Sequence, residues 1–311
     1  MTNKSVLIPR RKKGMFGVYL RNNWQLYLML MVPIAFVIIF KYAAYPGLRI
    51  AFMNFKPAKG FEGSPWVGWE TFEKVFRDKD FHRALRNSLV FNFADLLIGM
   101  PVPIILALML NELRFNKFKR VSQTILYLPH FLSWVIIASV ALNLFKPETG
   151  LVNILLKEWG AIDKGIPFLS EKTHWAFTYL ALGVWQNMGW GSIIYLAAIT
   201  GIDAELYEAA TIDGASTFTQ FMKITVPLIS PTTFYLIIVR MIAVFKIFSS
   251  VNVFTMGSSI TSNTSIVQEI YSSAFGSYTH GYASAQSVVL LGIILIITAI
   301  QFWGQKKWVH Y

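Results

Sequence analysis

Between two long apolar runs lies ELYEAATIDGASTFTQFMKITVP, Glu205 to Pro227. With Asp203 just upstream, this stretch sets Asp203, Glu205, Glu208 and Asp213 against Lys223 alone. A cluster of acids at one membrane face is what a multispan lipid or glycan transferase would need. Other enzymatic signatures are missing. The sequence has no cysteine, which excludes disulfides, thiol catalysis and Cys-based zinc sites. Its five histidines are dispersed, so no metal site is expected. There is no G-x-x-x-x-G-K-[ST] phosphate loop, no H-E-x-x-H and no G-x-S-x-G elbow. The chain therefore cannot itself be an ATP-driven motor.

A second set of polar groups lies within apolar runs, where an ionisable side chain is costly and marks function by default. Asp95 and Arg240 fall at similar depth in the outer third of their runs at about 1.5 Å per helical residue. They are expected to pair, either as a brace or at a substrate. Lys246 lies nearer the surface and can snorkel outward. WQNMGW sets Trp185, Gln186, Asn187 and Trp190 near mid-run. Aromatic faces beside amides suit a sugar, which has apolar faces and a polar rim. The alternative is helix packing, with amides bonding across helices and Gly189 and Gly191 allowing close approach. Ser249, Ser250 and Asn252 are weaker candidates for the path, and His130, just after Pro129, reads as structural.

The elements that must hold these groups are membrane helices. The chain of 311 residues is 55% hydrophobic and only 14% charged, against about 25% charged in a soluble domain. Apolar runs near the span length of about 20 residues predict an all-α integral membrane protein with about six transmembrane helices. These are Trp24–Tyr45, Arg86–Leu110 (kinked at Pro101 and Pro103), Val121–Phe145, Trp175–Thr200, Val226–Ser249 and Ala283–Trp303. Short outer helices are expected around WETFEKVFRDKDFHRAL, where Trp69, Phe72, Phe76 and Phe81 recur at roughly helical spacing.

The net charge of +12 reads as topology rather than nucleic-acid binding. Lys and Arg crowd residues 1–23, the turn 111–120 and the C-terminal Lys306 and Lys307, and the loop 250–282 has none. The positive-inside bias puts both termini in the cytoplasm. Residues 1–23 form a basic cytoplasmic arm and 24–311 the transmembrane domain, with the loop 201–227 also inside.

On that side the acids of the loop are anomalous, because short inner loops usually carry positive charge. Its local chemistry predicts a bent pair of short helices. Asp203 can cap the first, Glu205 and Glu208 suit its positive N-terminal end, and Ala209 and Ala210 leave room for another backbone. Gly214 permits the bend. A second helix, Ser216 to Lys223, would present Phe218, Phe221 and Met222, with Pro227 and Pro231 marking re-entry into the membrane. An amphipathic connector lying on the membrane surface is the alternative.

The pattern E-A-A, three residues, G, nine residues, I, two residues, P is matched by Glu208, Ala209, Ala210, Gly214, Ile224 and Pro227. It resembles the EAA loop of membrane subunits in binding-protein-dependent ABC importers. FKYAAYPGLRIAF, SPWVGWETF, ALMLNELRFNKFKR, QTILYLPHFLSW and IIYLAAITGIDAELYEAATIDGA are similar to sugar permeases of the MalF superfamily, LplB-type branch. The likeness covers nearly the whole chain, although GSSITSNTS lacks the Gly-Gly-Pro of many relatives.

The resemblance implies an ABC importer permease subunit in a bacterial cell membrane that moves an oligosaccharide. It also implies a second homologous permease subunit, two cytoplasmic ATPase subunits that bind ATP and Mg, and an extracellular solute-binding protein, with no cofactor on this chain. Glu208, Ala209, Ala210, Asp213, Gly214, Ile224 and Pro227 would form the ATPase-coupling site. Trp185, Gln186, Asn187, Trp190, Arg240, Asp95 and Asn252 are the substrate-path candidates. A permease for a polyamine or peptide is the nearest alternative. A cationic solute, however, would favour several acids in the spans, and only Asp95 is evident.

Overall fold

A computed structural model describes residues 22–244 and 264–308. Most of the basic arm, Lys246, Ser249, Ser250, Asn252 and most of Gly257–Ser265 lie outside the described residues. The described chain is helical, apart from an isolated bridge between Met53 and Trp66. Among the described residues, four helical stretches are long and apolar enough to cross a membrane: Trp24–Phe52, Lys79–Glu112, Thr217–Ala243 and His280–Gln305.

α1 (Trp24–Val37) is apolar all round and buries no residue within the chain. Its path does not stop at Tyr45 as expected. It continues through a π-helical turn, Ile38–Tyr42, and a tighter stretch, Tyr45–Phe52. Pro46 is no obstacle there, since an N–H at the start of a helical stretch has no partner to lose. α2 (Glu70–Arg77) is a short helix where one was expected. Phe72 and Val75 are buried beneath it, while Glu70–Lys74 and Glu73–Arg77 pair on its exposed face. Of the recurring aromatics, Phe72 and Phe81 are buried and Trp69 and Phe76 are exposed.

α3 (Lys79–Gly99) starts earlier than Arg86 because the Asp78 carboxylate caps it, accepting from the Asp80 amide at 2.7 Å. The helix breaks at Met100, and α4 (Pro101–Glu112) begins on the first of the two prolines. The third expected span is not one straight helix. α5 (Asn116–Tyr127) tightens into a short turn, Leu128–Phe131, and α6 (Trp134–Phe145) leaves it at a bend of 98°. Pro129 lacks the N–H a continuing helix would use, and Ser133 restarts the helix by accepting from the Ile136 amide at 3.4 Å.

α7 (Leu151–Glu158) lies in the following loop. That loop closes on buried Asn153, which bonds the carbonyls of Lys146 and Ile166 and the Ile166 amide. α8 (Lys172–Thr200) has 29 residues and is about 43 Å long. It is less apolar than the four stretches above. Its amides and glycines are covered instead by α3, α4, the α5 bend and α11.

α9 (Ala204–Ile212) and the single turn α10 (Thr217–Gln220) form the loop after α8. The expected break before span five is absent. α10 runs through a π-helical turn, Phe221–Thr225, into α11 (Val226–Val244), with Pro231 inside the helix. The wider π turn lets the chain enter Pro227 without the usual four-residue ladder. α12 (Ile266–Tyr271) and α13 (His280–Trp308) complete the described chain.

Three apolar clusters hold the bundle. One joins Ala51, Phe72, Val75 and Phe81 to Ile266 and Ala285 at the α2 end. The second packs Phe91 against Ala138, Trp175 and Tyr179. The third sets Ala107, Tyr195, Ile199 and Ile229 together at the end carrying α9.

Candidate functional site

The loop after α8 is built from local bonds that its sequence supplies. Asp203 opens α9, its carboxylate accepting from the Glu205 amide at 3.1 Å. The helix closes in a Schellman turn. The Gly214 amide donates to the Thr211 carbonyl at 3.0 Å and the Ala215 amide to the Ala210 carbonyl at 2.9 Å. Gly214 takes φ +75°, a conformation costly for any residue with a Cβ.

Ser216 then caps α10, accepting from the Thr219 amide at 3.3 Å. Gln220 Nε2 spans the bend, donating to Thr211 Oγ1 at 3.0 Å and the Ala215 carbonyl at 3.2 Å. The Tyr207 hydroxyl lies 2.8 Å from Thr225 Oγ1 and ties the middle of α9 to the π turn. The bent pair is thus internally braced.

Helical periodicity divides α9 into two faces. Glu205, Glu208, Ala209 and Ile212 fall at i, i+3, i+4 and i+7 and are exposed, whereas Tyr207 and Ala210 are half-buried. A Cβ built on Gly214 meets nothing within 4 Å, so none of the described residues fills the space beside the tip. Of the expected coupling residues, Glu208, Ala209, Asp213, Gly214 and Pro227 are exposed, and Ala210 and Ile224 are half-buried. Sequence reasoning missed Ile212, which is 86% exposed on the face of Glu208. An apolar residue four positions from that glutamate, in a polar segment, was the available signal.

The second site is a cavity of about 630 Å³ within the bundle. It runs from Ser88 and Phe91 on α3 to Pro103 on α4 and Tyr195 on α8, with the α5 bend on one side and α11 on another. Gln186, Asn187, Trp190, Asp95 and Arg240 all line it. Trp185 does not. It is one residue, or about 100° of helix, from Gln186, and it is 40% exposed on the outside of α8.

The expected pair forms: Arg240 Nη1 lies 3.3 Å from Asp95 Oδ2, with each side chain 24% exposed. Nη1 also donates to the Asp95 carbonyl at 3.5 Å. Gly99 makes room for the pair, because a Cβ there would lie 2.5 Å from Asp95 Oδ1 and 2.7 Å from Arg240 Nη1.

Gln186 has a packing role, donating through Nε2 to the Leu132 carbonyl at 2.9 Å. That carbonyl lost its helical partner at the bend, and backbone freed at membrane depth must be re-satisfied. Asn187 Nδ2 donates to the Gly183 carbonyl at 2.9 Å, and its Oδ1 lies 3.3 Å from His130 Nδ1. Gly189 lets α8 lie directly on the end of α5, where a Cβ would run into the Leu126 carbonyl. Among the described residues no group of three or more His, Cys, Asp or Glu could hold a metal.

A bundle of apolar helices around a cavity whose mainly apolar wall carries a few polar groups, with a braced helix pair carried beyond one end, is the architecture of a multi-pass membrane permease. Residues 99–309 match the family described as the binding-protein-dependent transport system inner membrane component, and the chain belongs to that family. It is a transporter subunit of the cell membrane, and in this family the ATPase is a separate partner.

The chain is 38% identical over 283 residues to protein LplB of Bacillus subtilis (strain 168), covering 90% of this chain and 88% of that one. It is 39% identical over 236 residues to the polygalacturonan/rhamnogalacturonan transport system permease protein YteP of the same organism, covering 76% and 73%. In structure it is similar to a chain of a bacterial ABC transporter involved in the import of the acidic polysaccharide alginate. That match has TM-score 0.83 and 31% identity, covering 94% of this chain and 99% of that one. The same kind of transporter, in complex with an alginate pentasaccharide-bound periplasmic protein, matches at TM-score 0.81 and 30% identity, covering 94% and 97%.

Proposed function

We propose that this chain is the permease subunit that carries an oligosaccharide, delivered by a solute-binding protein, into the cytoplasm. It works beside a second, homologous permease subunit and two ATPase subunits that bind ATP and Mg. The observation that carries this reading is the braced α9–α10 pair, rigid within itself and open on its outer face. Glu208, Ala209, Asp213 and Gly214 supply the surface that docks on an ATPase, Ala210, Ile224 and Pro227 shape it, and Ile212 adds an apolar anchor. Nucleotide binding moves the docking groove, and the permease shifts between inward and outward opening because the two states differ in affinity for the loop. The loop, the arm 1–23 and both termini lie in the cytoplasm.

The cavity is the substrate path. Its aromatic and amide lining suits a sugar, and its acid and base, Asp95 and Arg240, neutralise each other. A polyamine would meet no unpaired acid there. The saccharide class is supported by the transport systems of the relatives named above. The test is reconstitution in proteoliposomes with the cognate permease, ATPase and binding protein. The probes are tritium-reduced oligosaccharides from partial hydrolysates of polygalacturonan, rhamnogalacturonan and alginate. Uptake that requires ATP and binding protein is expected. Flux without either refutes the importer reading, and ATP-driven uptake of none of these probes refutes the saccharide.

A further inference from the structure

His130 reads as structural in the sequence, but its surroundings give it another role. It sits on the Leu128–Phe131 turn, at the bend between α5 and α6, and lines the cavity. Its ring lies flat against Trp190, with centroids 4.8 Å apart and planes 5° from parallel. Asn187 fixes its orientation. The amide nitrogen of Asn187 donates to the Gly183 carbonyl at 2.9 Å, so its oxygen faces His130 and accepts from Nδ1 at 3.3 Å. With its proton on Nδ1, a neutral imidazole offers Nε2 as a bare acceptor. That nitrogen makes no hydrogen bond to any described residue, in a side chain that is half-buried.

The backbone beneath His130 is held equally firmly. Gln186 bonds the Leu132 carbonyl on one side of the bend, and Gly189 brings α8 against Leu126 on the other. A polar atom in a cavity wall, fixed in direction and left without a partner among the described residues, is poised for a partner from outside the chain.

We propose that His130 contacts the transported saccharide. Nε2 accepts a hydrogen bond from a sugar hydroxyl, and Trp190 and Asn187 act as positioning residues that aim it. The acceptor selects for a donor, so the group read at this point is a hydroxyl rather than a carboxylate or an ether oxygen. This rests on the importer reading above.

The test compares two variants in the reconstituted importer, using the saccharide fraction that the unaltered complex transports. His130→Gln restores a polar atom near the position of Nε2, and His130→Asn one near Nδ1 only. Maximal uptake rate is the readout, and assembly with the partner permease is checked by size-exclusion chromatography. The Asn variant is expected to lose about ten-fold, the worth of one hydrogen bond left unmade. The Gln variant should stay within about three-fold of the parent.

Equal losses in the two variants, no loss in either, or failure of both to assemble would assign His130 to packing and overturn the proposal. Failure of the unaltered complex to transport any saccharide overturns the parent reading instead, and this one with it.

Discussion

Gly214 offers a test in which two explanations predict opposite orders. Its φ of +75° means any L side chain pays to sit there, about 1–2 kcal/mol for alanine. That strain alone would lower the equilibrium constant for the native turn by roughly five- to thirty-fold. Asparagine tolerates the same conformation far better. If Gly214 matters only for its backbone, transport should therefore rank Gly, then Asn, then Ala.

Space within the chain does not alter this order, since a Cβ at Gly214 meets nothing within 4 Å. If an ATPase must come close to the tip, bulk decides, and the rank becomes Gly, then Ala, then Asn. The proposed function requires the second order, with Gly214→Asn losing at least about ten-fold in uptake, more than its small backbone strain accounts for. ATP-driven saccharide uptake in proteoliposomes measures it. The yield of membrane-inserted protein should not change, because the turn lies outside the apolar helices. An Asn variant that transports better than the Ala variant would refute the close-approach reasoning and leave Gly214 a purely conformational residue.

Removing either Asp95 or Arg240 strands a largely buried charge and should cost about 3–5 kcal/mol, read as a lower melting temperature in detergent. The swap Asp95→Arg with Arg240→Asp should recover part of the loss, and no recovery argues against the pair. Gly99→Ala drives a methyl group into that pair and should cost about 1–3 kcal/mol, as overpacking does. Tyr207→Phe removes the bond to Thr225 and should loosen α9 by about 1 kcal/mol. Limited proteolysis would show faster cleavage within the loop and unchanged cleavage elsewhere.

At the opposite end, burial and then the nearby Asp78 and Asp80 push the Glu269 carboxyl up from 4.5, with Arg83 opposing them. A raised folded-state pKa means that Glu269 favours the fold at low pH and that this contribution fades as pH rises through the raised value. Glu269→Gln should therefore melt like the parent near about pH 4 and above it near about pH 8. Equal melting at both would contradict the shift.

Features governed by neighbours in the chain were legible in the sequence, and features governed by distant contacts were not. The loop's geometry follows from Asp203, Gly214 and Ser216, each acting within a few residues, so its caps and bend were predictable. The apolar runs revealed the spans for the same reason.

The bend in the third span was not predictable, because a proline near a span's start is compatible with a straight continuation. What makes a sharp bend tolerable is Gln186, 54 residues further on, taking the freed Leu132 carbonyl. The prolines in the first turns of α11 misled in the opposite sense. Pro227 and Pro231 look like a break, but the π turn ahead of them absorbs the misfit and joins α10 to the span. Trp185 and Gln186 are adjacent in a motif that reads as one site, yet a helix sends neighbours to different faces. His130 could not be assigned until the fold brought Trp190 and Asn187 to it.

The same two helices, α8 and α11, line the cavity and flank the loop, and in the function proposed above they are what would let the loop govern the cavity. α8 ends at the start of the loop, and its cavity residues Asn187 and Trp190 lie about 15–20 Å back along it. α11 leaves the loop and reaches Arg240 about 35 Å from Thr217. A push on α9 can be transmitted only if its joints do not give way first. The joint into α8 is the short turn at Gly201–Asp203, backed by Ile199 in the third apolar cluster. The joint into α11 is the π turn, a wider helix, and it is there that Tyr207 reaches Thr225. The hydrogen bond braces that second joint. In the proposed mechanism, force on the exposed face of α9 would reach α8 and α11 together, and those helices carry Asn187, which contacts His130, and Arg240, which pairs with Asp95.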